Sequence, residues 1–222
     1  MTKFIPYEVK TGKENMQIDS DLLDFAIENN VQEPIFRLYG WSPACVSLGR
    51  NQNEDFIDNN FLKKHNIDIV RRLTGGRALL HDDEITYSYI CPVSSLEKGE
   101  NVSSSYKEIS QILINSMQKL NIELEFGSSK KTDTKFDYCM LISTGADLCY
   151  QGRKLIGSAQ LRKECYILQH GSILYDYSRE LLQEIFKEEV VADSIISIKE
   201  INPSISKQDI IEIFLGQTKR RS

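Results

Sequence analysis

Cysteine, lysine and histidine are the side chains here that can attack a carbonyl or exchange a proton near neutral pH, and their surroundings set three of them apart. Cys139 follows a polar run, Gly127 to Lys135, which reads as a loop, and precedes Met140 to Gly145, where no regular element is evident. A loop cysteine is more accessible than Cys45 or Cys91, which sit inside apolar strand patterns and read as core residues. Cys149 falls in an expected hairpin strand, and Cys165 just precedes another strand. A thiol attacks as the thiolate, and a neighbouring ammonium favours that form. Lys154 is the candidate, since Gly152 and Gly157 near it permit close approach of a ligand; an ordinary exposed hairpin lysine is the plainer alternative. His170, in Gln169-His170-Gly171-Ser172, suits a base, an orienting donor or a satisfied structural residue.

A second feature is Arg71-Arg72-Leu73-Thr74-Gly75-Gly76-Arg77-Ala78, fed by the apolar run Ile67–Val70 and left by Ala78–Leu80. It reads as strand, glycine turn, strand. Paired glycines allow positive φ and expose bare backbone to a ligand, and the two arginines before them can meet an anion or carbonyl. A hairpin turn with solvated arginines is again the plainer reading. The stretch lacks the GxxxxGK[ST] and GxGxxG spacings, so no standard phosphate motif is present. His81 with Asp82, Asp83 and Glu84 resembles a metal cluster only superficially. Adjacent acids on a strand face opposite ways and no second histidine has ligand spacing, so no metal is expected.

The 222 residues are 41% hydrophobic and 27% charged, as expected of one large globular domain with room for a small appendage. The net charge of −5 argues against a nucleic-acid footprint, and the tail Lys219-Arg220-Arg221 is too short to reverse that. No run is long and apolar enough to cross a bilayer, and Met1 to Pro6 has no apolar signal core, so a cytoplasmic protein without membrane partners is expected. Five cysteines with no CxxC pair predict reduced thiols.

The elements that must position these groups follow from periodicity. Helical spacing starts at Met16 and places Ile18, Leu22, Leu23, Ala26 and Ile27 on one face, with Asn29-Asn30 as the stop. Ile35–Tyr39 and Ala44–Gly49 read as strands and as possible neighbours. Phe56–Asn66 reads as a short helix, Ile85–Cys91 as a strand, and Asn101–Leu120 as the clearest helix, with Ser104 or Ser105 as cap. Ile122–Phe126 alternates like a strand. Asp147–Tyr150 and Lys154–Gly157 make a hairpin through Gln151-Gly152, and Tyr166–Gln169 is a strand followed by His170. Arg179–Phe186 and Ser206–Leu215 read as helices, and Ser194–Ile198 as helix or strand. The expectation is an α+β fold: a mixed, mostly antiparallel sheet with packed helices, with residues 1–178 as the main domain and 179–222 as a small helical appendage.

Six stretches together resemble the lipoate–protein ligase and octanoyltransferase superfamily, which includes the biotin ligases. They are Arg37–Trp41, Ser47–Gln52, Arg71–His81, Glu84–Ser88, Gly152–Gln160 and Leu168–Ser172, in the family's order. Within it the chain is most similar to the cysteine-dependent octanoyl-[acyl carrier protein]:protein N-octanoyltransferases. Arg77 stands where the ATP-using ligases usually carry a third glycine, Glu84–Ser88 resembles that branch's E-L-T-Y-S block, and Cys139 stands at the place of its acyl-accepting cysteine. The run after Cys139, Met140-Leu141-Ile142-Ser143-Thr144, departs from that branch's Phe-Asp/Glu-x-Pro-Ser, which leaves Cys149 as the alternative nucleophile.

The resemblance implies a biotin/lipoate ligase-like catalytic domain with Cys139 and Lys154 as catalytic residues. It implies a substrate site built from Arg71, Arg72, Thr74, Gly75, Gly76, Arg77, Ala78, His81, Gly157, Ser158, Ala159, Gln160, His170 and Gly171. It also implies no cofactor, octanoyl-acyl carrier protein as donor, and a lipoyl domain as acceptor, either glycine cleavage H protein or a 2-oxoacid dehydrogenase E2. Both partners are typically acidic, and Arg50, Arg71, Arg72, Arg77 and Arg153 are candidates for a local basic face. Leu73, Leu79 and Ile156 are candidates for the slot that takes the octanoyl tail. Two other readings stand beside this one: an ATP-dependent lipoate–protein ligase, and a non-catalytic lipoyl- or acyl-binding protein.

Overall fold

The computed structural model describes residues 2–128, 137–141, 143–189 and 194–219. Most of the polar loop expected from Gly127 to Lys135, and the end of the basic tail, lie outside them.

Strand β1 (Lys3–Lys10) leads into helix α1 (Gly12–Glu28). Thr11 and Glu14 form a reciprocal capping box, which satisfies otherwise orphaned amides and starts the helix four residues before the apolar spacing suggests. Asn29 ends it, as expected. The helix buries Asn15, Asp19, Leu23 and Ala26, so its inward face is half polar.

Strands β2 (Ile35–Trp41), β3 (Cys45–Leu48), β4 (Asp68–Arg71), β5 (Leu79–His81) and β6 (Glu84–Pro92) follow, with the short helix α2 (Asn59–Lys64) before β4. Helix α3 (Val102–Gln118) is capped by the Asn101 side chain on the Ser104 amide, rather than by Ser104 or Ser105. Its stripe of Ile109, Leu113 and Met117 is buried. Then come β7 (Glu125–Phe126), a 3-10 turn at Cys139–Leu141, β8 (Leu148–Tyr150), β9 (Arg153–Lys163), β10 (Tyr166–Leu174), and helices α4 (Arg179–Phe186), α5 (Ile198–Ile201) and α6 (Lys207–Lys219). None of the helices among the described residues is long and apolar enough to cross a membrane.

The α+β reading holds. Seven strands form one sheet in the order β1-β2-β6-β10-β9-β8-β7, parallel only at β1–β2, and a second sheet has the order β4-β3-β5. Two expectations about neighbours fail. β2 and β3 lie in different sheets, and β4 and β5 are not a glycine hairpin because β3 sits between them. The segment from Arg72 to Ala78 is therefore a crossing loop, free to reach over the sheet face.

The large sheet is covered on both sides. Ile35, Ile90 and Leu168 pack under Leu23 and Ala26 of α1. Phe36, Leu38, Tyr87 and Ile167 pack on the other side with Ile109 and Leu113 of α3 and Phe214 of α6. This is why all seven residues of β2 are buried although the chain alternates in character there. Leu182, Ile185 and Phe186 of α4 and Ile210, Ile211 and Phe214 of α6 belong to the same core cluster as the sheet. His170 lies inside β10, which runs five residues beyond the expected end.

Candidate active site

Cys139 is held where the crossing loop meets the turn before β8. The Ala78 amide donates to the Asp137 carbonyl at 3.0 Å and the Cys139 amide to the Ala78 carbonyl at 2.8 Å, a two-bond parallel bridge. Tyr138 is buried and stacks on Phe186 at 4.6 Å, and the Glu188 carboxylate accepts from the Asp137 and Tyr138 amides. The backbone leading up to the sulfur is thus fixed, while the thiol itself is half-buried and opens into a cavity.

Lys154, on β9, is 1% exposed and is therefore not the solvated hairpin lysine of the plainer reading. Its Nζ donates to the Cys139 carbonyl at 2.9 Å and lies 3.7 Å from Cys139 Sγ. Asp147 Oδ2 sits 3.1 Å from the same Nζ, also buried. The Thr144 amide and hydroxyl both donate to Asp147 Oδ2, at 2.7 and 2.9 Å, which fixes the carboxylate. Burial pulls the Lys154 pKa down, but the Cys139 sulfur and the Asp147 carboxylate outweigh it and hold the ammonium above the ordinary lysine value. Gly157 makes room for this lysine: a Cβ there would stand 3.1 Å from Lys154 Cε and 3.1 Å from Met140 Sδ.

The crossing loop is tied down by Arg72, which is buried and does not reach solvent. Its guanidinium donates to the carbonyls of Ser47 (2.8 Å), Gly75 (3.0 Å) and Arg77 (2.6 Å), and its Nε to Thr74 Oγ1 (3.2 Å). Gly76 has φ +97, and a Cβ on the facing Gly49 would fall on the Gly76 carbonyl, so both glycines are needed for the loop to lie this close.

Thr74 passes the linkage on to β10. Its hydroxyl lies 2.7 Å from His170 Nε2, and His170 Nδ1 lies 3.4 Å from Asp19 Oδ2. Asp19 also meets the Arg37 guanidinium at 2.9 Å and the Tyr39 hydroxyl at 2.8 Å. Burial pushes the Asp19 pKa up, but His170, Arg37 and Tyr39 outweigh it and keep the carboxyl below the usual range. Because Asp19 accepts only and Arg72 donates to Thr74, the consistent arrangement has His170 Nδ1–H donating to Asp19 and Thr74 O–H donating to Nε2.

The structure brings Arg72, Gly76, His81, Cys139, Gly157, Ser158, Ala159, His170 and Gly171 to the wall of one cavity. Lys154 stands behind Cys139, and Thr74 and Ala78 support the wall from the loop. Arg71 turns away to the Gly49 and Gln52 carbonyls and to Glu54. Gly75 and Arg77 contribute carbonyls to Arg72. Gln160 binds Ser105 and Gln169 beneath α3, away from the cavity. His81 is packed flat on Trp41 at 3.9 Å and bonded to Ser47 at 2.8 Å. Of the expected tail residues, Leu79 lines the cavity, with Met16, Tyr39 and Trp41; Leu73 and Ile156 pack elsewhere in the core. The expected arginine face is broken up: Arg72 is buried and Arg153 is paired with Glu200 at 2.7 Å.

Sequence reasoning missed Asp147 and Asp19. Asp19 carried a signal, since Asn15, Asp19, Leu23 and Ala26 share one helical face and a carboxylate on an apolar stripe needs a partner. Asp147 carried a fainter one, as a carboxylate at the start of a hairpin strand whose partner strand begins with Arg153-Lys154.

The family model of the lipoyl protein ligase A/B catalytic domain matches residues 11–219. The chain is 39% identical over 181 residues to the octanoyltransferase LipM of Geobacillus kaustophilus, covering 78% of this chain and 65% of that protein. It is 38% identical over 186 residues to the octanoyltransferase LipM of Carboxydothermus hydrogenoformans, covering 83% and 69%. The chain thus spans about two thirds of the length of these curated relatives. Among solved structures, a lipoate-protein ligase A bound with ATP superposes with a TM-score of 0.74 at 19% identity, covering 97% of this chain and 83% of the other, a likeness of fold.

Proposed function

The chain belongs to the lipoyl protein ligase A/B catalytic-domain family, and from that premise we propose that it transfers an octanoyl group from octanoyl-acyl carrier protein, through a thioester on Cys139, to a lysine of a lipoyl domain. The observation that carries this reading is the buried Lys154 ammonium 3.7 Å from a half-buried cysteine sulfur that opens into a cavity. A thiol attacks as the thiolate, and the Lys154 cation stands where that negative charge resides. Cys149, the alternative nucleophile, is buried against Ser143, and burial raises its pKa.

In the first half-reaction Cys139 Sγ bonds to the octanoyl carbonyl carbon, the carrier's C–S bond breaks, and the carrier leaves as a thiol. One thioester replaces another, so the step is nearly isoenergetic and consumes no ATP. The tetrahedral oxyanion forms close to the Lys154 charge, which stabilises it. Leu79, Met16, Tyr39 and Trp41 supply an apolar wall for the alkyl tail. In the second half-reaction the ε-amine of the acceptor lysine attacks the acyl-enzyme, the Sγ–carbon bond breaks, and an amide forms. The amine gives up its proton to water.

The test is intact mass of the protein after incubation with octanoyl-acyl carrier protein in the absence of ATP, beside Cys139→Ser and Cys149→Ser. A hydroxylamine-labile octanoyl adduct on the unsubstituted chain and on Cys149→Ser, missing from Cys139→Ser, is expected. Acylation of a lipoyl domain that requires ATP and free octanoate, with no adduct at any stage, would move the chain to the ligases. Binding of the acyl carrier without turnover would make it a binding protein.

A further inference from the structure

Asp147 takes no part in the steps above, yet it is a buried carboxylate 3.1 Å from the Lys154 ammonium. We propose that Asp147 is a positioning residue that serves as the standing counter-charge of Lys154, holding the ammonium neutralised whenever Cys139 is a thiol or an acyl thioester. The inference rests on the acyl-transfer reading for its acyl-enzyme part and on geometry alone for its thiol part.

Lys154 is 1% exposed and Asp147 2%, so neither charge can be left alone in the interior without a large desolvation penalty. Two groups that can carry negative charge stand near the ammonium among the described residues, at 3.1 Å (Asp147 Oδ2) and 3.7 Å (Cys139 Sγ). The sulfur changes charge during the proposed cycle, from thiolate to neutral thioester and back. The carboxylate does not, and its bonds from Thr144 keep it in place throughout. When Sγ bonds to the acyl carbon and loses its charge, Lys154–Asp147 remains a neutral pair. Without Asp147, acylation would leave the buried ammonium facing neither of these two anions.

The same arrangement tempers the thiolate. The separation of sulfur and carboxylate is at most about 7 Å, so the carboxylate offsets at least about half of the ammonium's pull, since the interaction falls as the inverse of distance. Removing the Asp147 charge therefore makes the thiolate more favourable and the acyl-enzyme less so. A merely structural loss would slow both alkylation and acylation. Among the described residues the sulfur also feels the Arg72 guanidinium and the Tyr106 and Tyr138 phenols, and Cys149 stands near Lys154; all are kept in the test.

The experiment is the rate of iodoacetamide alkylation of Cys139, read by peptide mass at pH ~6.5, with octanoyl-acyl carrier protein equilibration in a second arm. Asp147→Asn is expected to alkylate about tenfold faster than the unsubstituted chain. Asp147→Glu is expected to stay close to it. At equilibrium the acyl-enzyme fraction of Asp147→Asn should fall about tenfold relative to carrier-bound octanoyl. The pair Lys154→Met and Asp147→Asn/Lys154→Met repeats the comparison without the ammonium, and the double variant should alkylate faster than Lys154→Met alone. An unchanged or slower rate on removing Asp147, in whichever background folds, overturns the proposal. If alkylation follows the expectation while the unsubstituted chain forms no octanoyl adduct, the counter-charge role stands and the acyl-transfer reading falls.

Discussion

Replacing Asp19 by asparagine is expected to destabilise the protein by about 3 kcal/mol, and the size of that loss tests whether the α1–β2–β10 polar cluster is a true buried ion pair. Asp19 and Arg37 are 1% and 2% exposed and meet at 2.9 Å. At an effective dielectric of ~20 the attraction at that separation is about 6 kcal/mol, against which desolvation of both ions counts. Removing one ion of such a pair costs about 3–5 kcal/mol because the other stays buried and uncompensated. Arg37 keeps the Asn15 side-chain oxygen at 2.6 Å and lies 3.8 Å above the Tyr39 ring, which places the loss at the lower end. For a chain of 222 residues this corresponds to a melting temperature lower by about 6–12 °C. The assay is urea unfolding and calorimetry on Asp19→Asn, Arg37→Met and the double variant. The folded Asp19 pKa lies below the ordinary carboxylate value, so its contribution is complete above that value and is lost as pH falls through the folded pKa. The difference between the unsubstituted chain and Asp19→Asn should therefore be constant from pH ~7 to ~5 and close only in stronger acid. A coupling between the two positions below ~0.5 kcal/mol would refute the reasoning.

Gly157→Ala places a methyl group 3.1 Å from Lys154 Cε and Met140 Sδ; it should slow formation of the octanoyl adduct about 10- to 100-fold while shifting the melting temperature by less than about 4 °C. A rate equal to that of the unsubstituted chain would mean that Lys154 tolerates displacement. His81 is pulled below the ordinary imidazole pKa by burial, with Glu84 opposing, so its contribution to stability is present above pH 6.5 and declines as pH falls below it. His81→Gln should accordingly lose about 2–4 °C less than the unsubstituted chain between pH ~7.5 and ~5.5 in a thermal melt; equal losses would show that His81 is not the group that titrates.

The elements that were legible in the sequence are those whose signal is local. The hairpin through Gln151-Gly152 was readable because both residues adopt positive φ, at 49 and 77, which that dipeptide allows. The stripe of α3 was readable because one face meets a large core. Pairing across the chain was not readable. Arg72 looked like a surface cation because nothing in its own segment announces the three carbonyls it holds, two of which depend on a loop that crosses β3 instead of turning back. Asp19 was not readable as a buried acid, because its partners Arg37, Tyr39 and His170 come from strands far along the chain. Cys139 and Lys154 were legible as candidates because a loop thiol and a lysine between glycines are each unusual, but their 3.7 Å contact depends on a bridge from Ala78 that no periodicity encodes.

The two buried ion pairs bear differently on the fold. Replacing a well-packed buried pair with apolar residues of similar size is often neutral or stabilising, so neither pair is explained by stability alone. Arg37–Asp19 belongs to a network whose remaining bonds run through His170 and Thr74 to the glycine loop over the cavity, so it acts as a brace for that wall. Lys154–Asp147 joins a shorter set of bonds: its ammonium donates to the Cys139 carbonyl and its carboxylate accepts from Thr144, tying the turn at Cys139–Leu141 to the approach to β8. What a lysine supplies at this position, and an apolar residue would not, is positive charge beside Cys139. On the proposed reading the core around β9 carries an interior cation whose benefit is felt at the sulfur 3.7 Å away, and the carboxylate 3.1 Å from that cation keeps the charge tolerable when the sulfur is neutral.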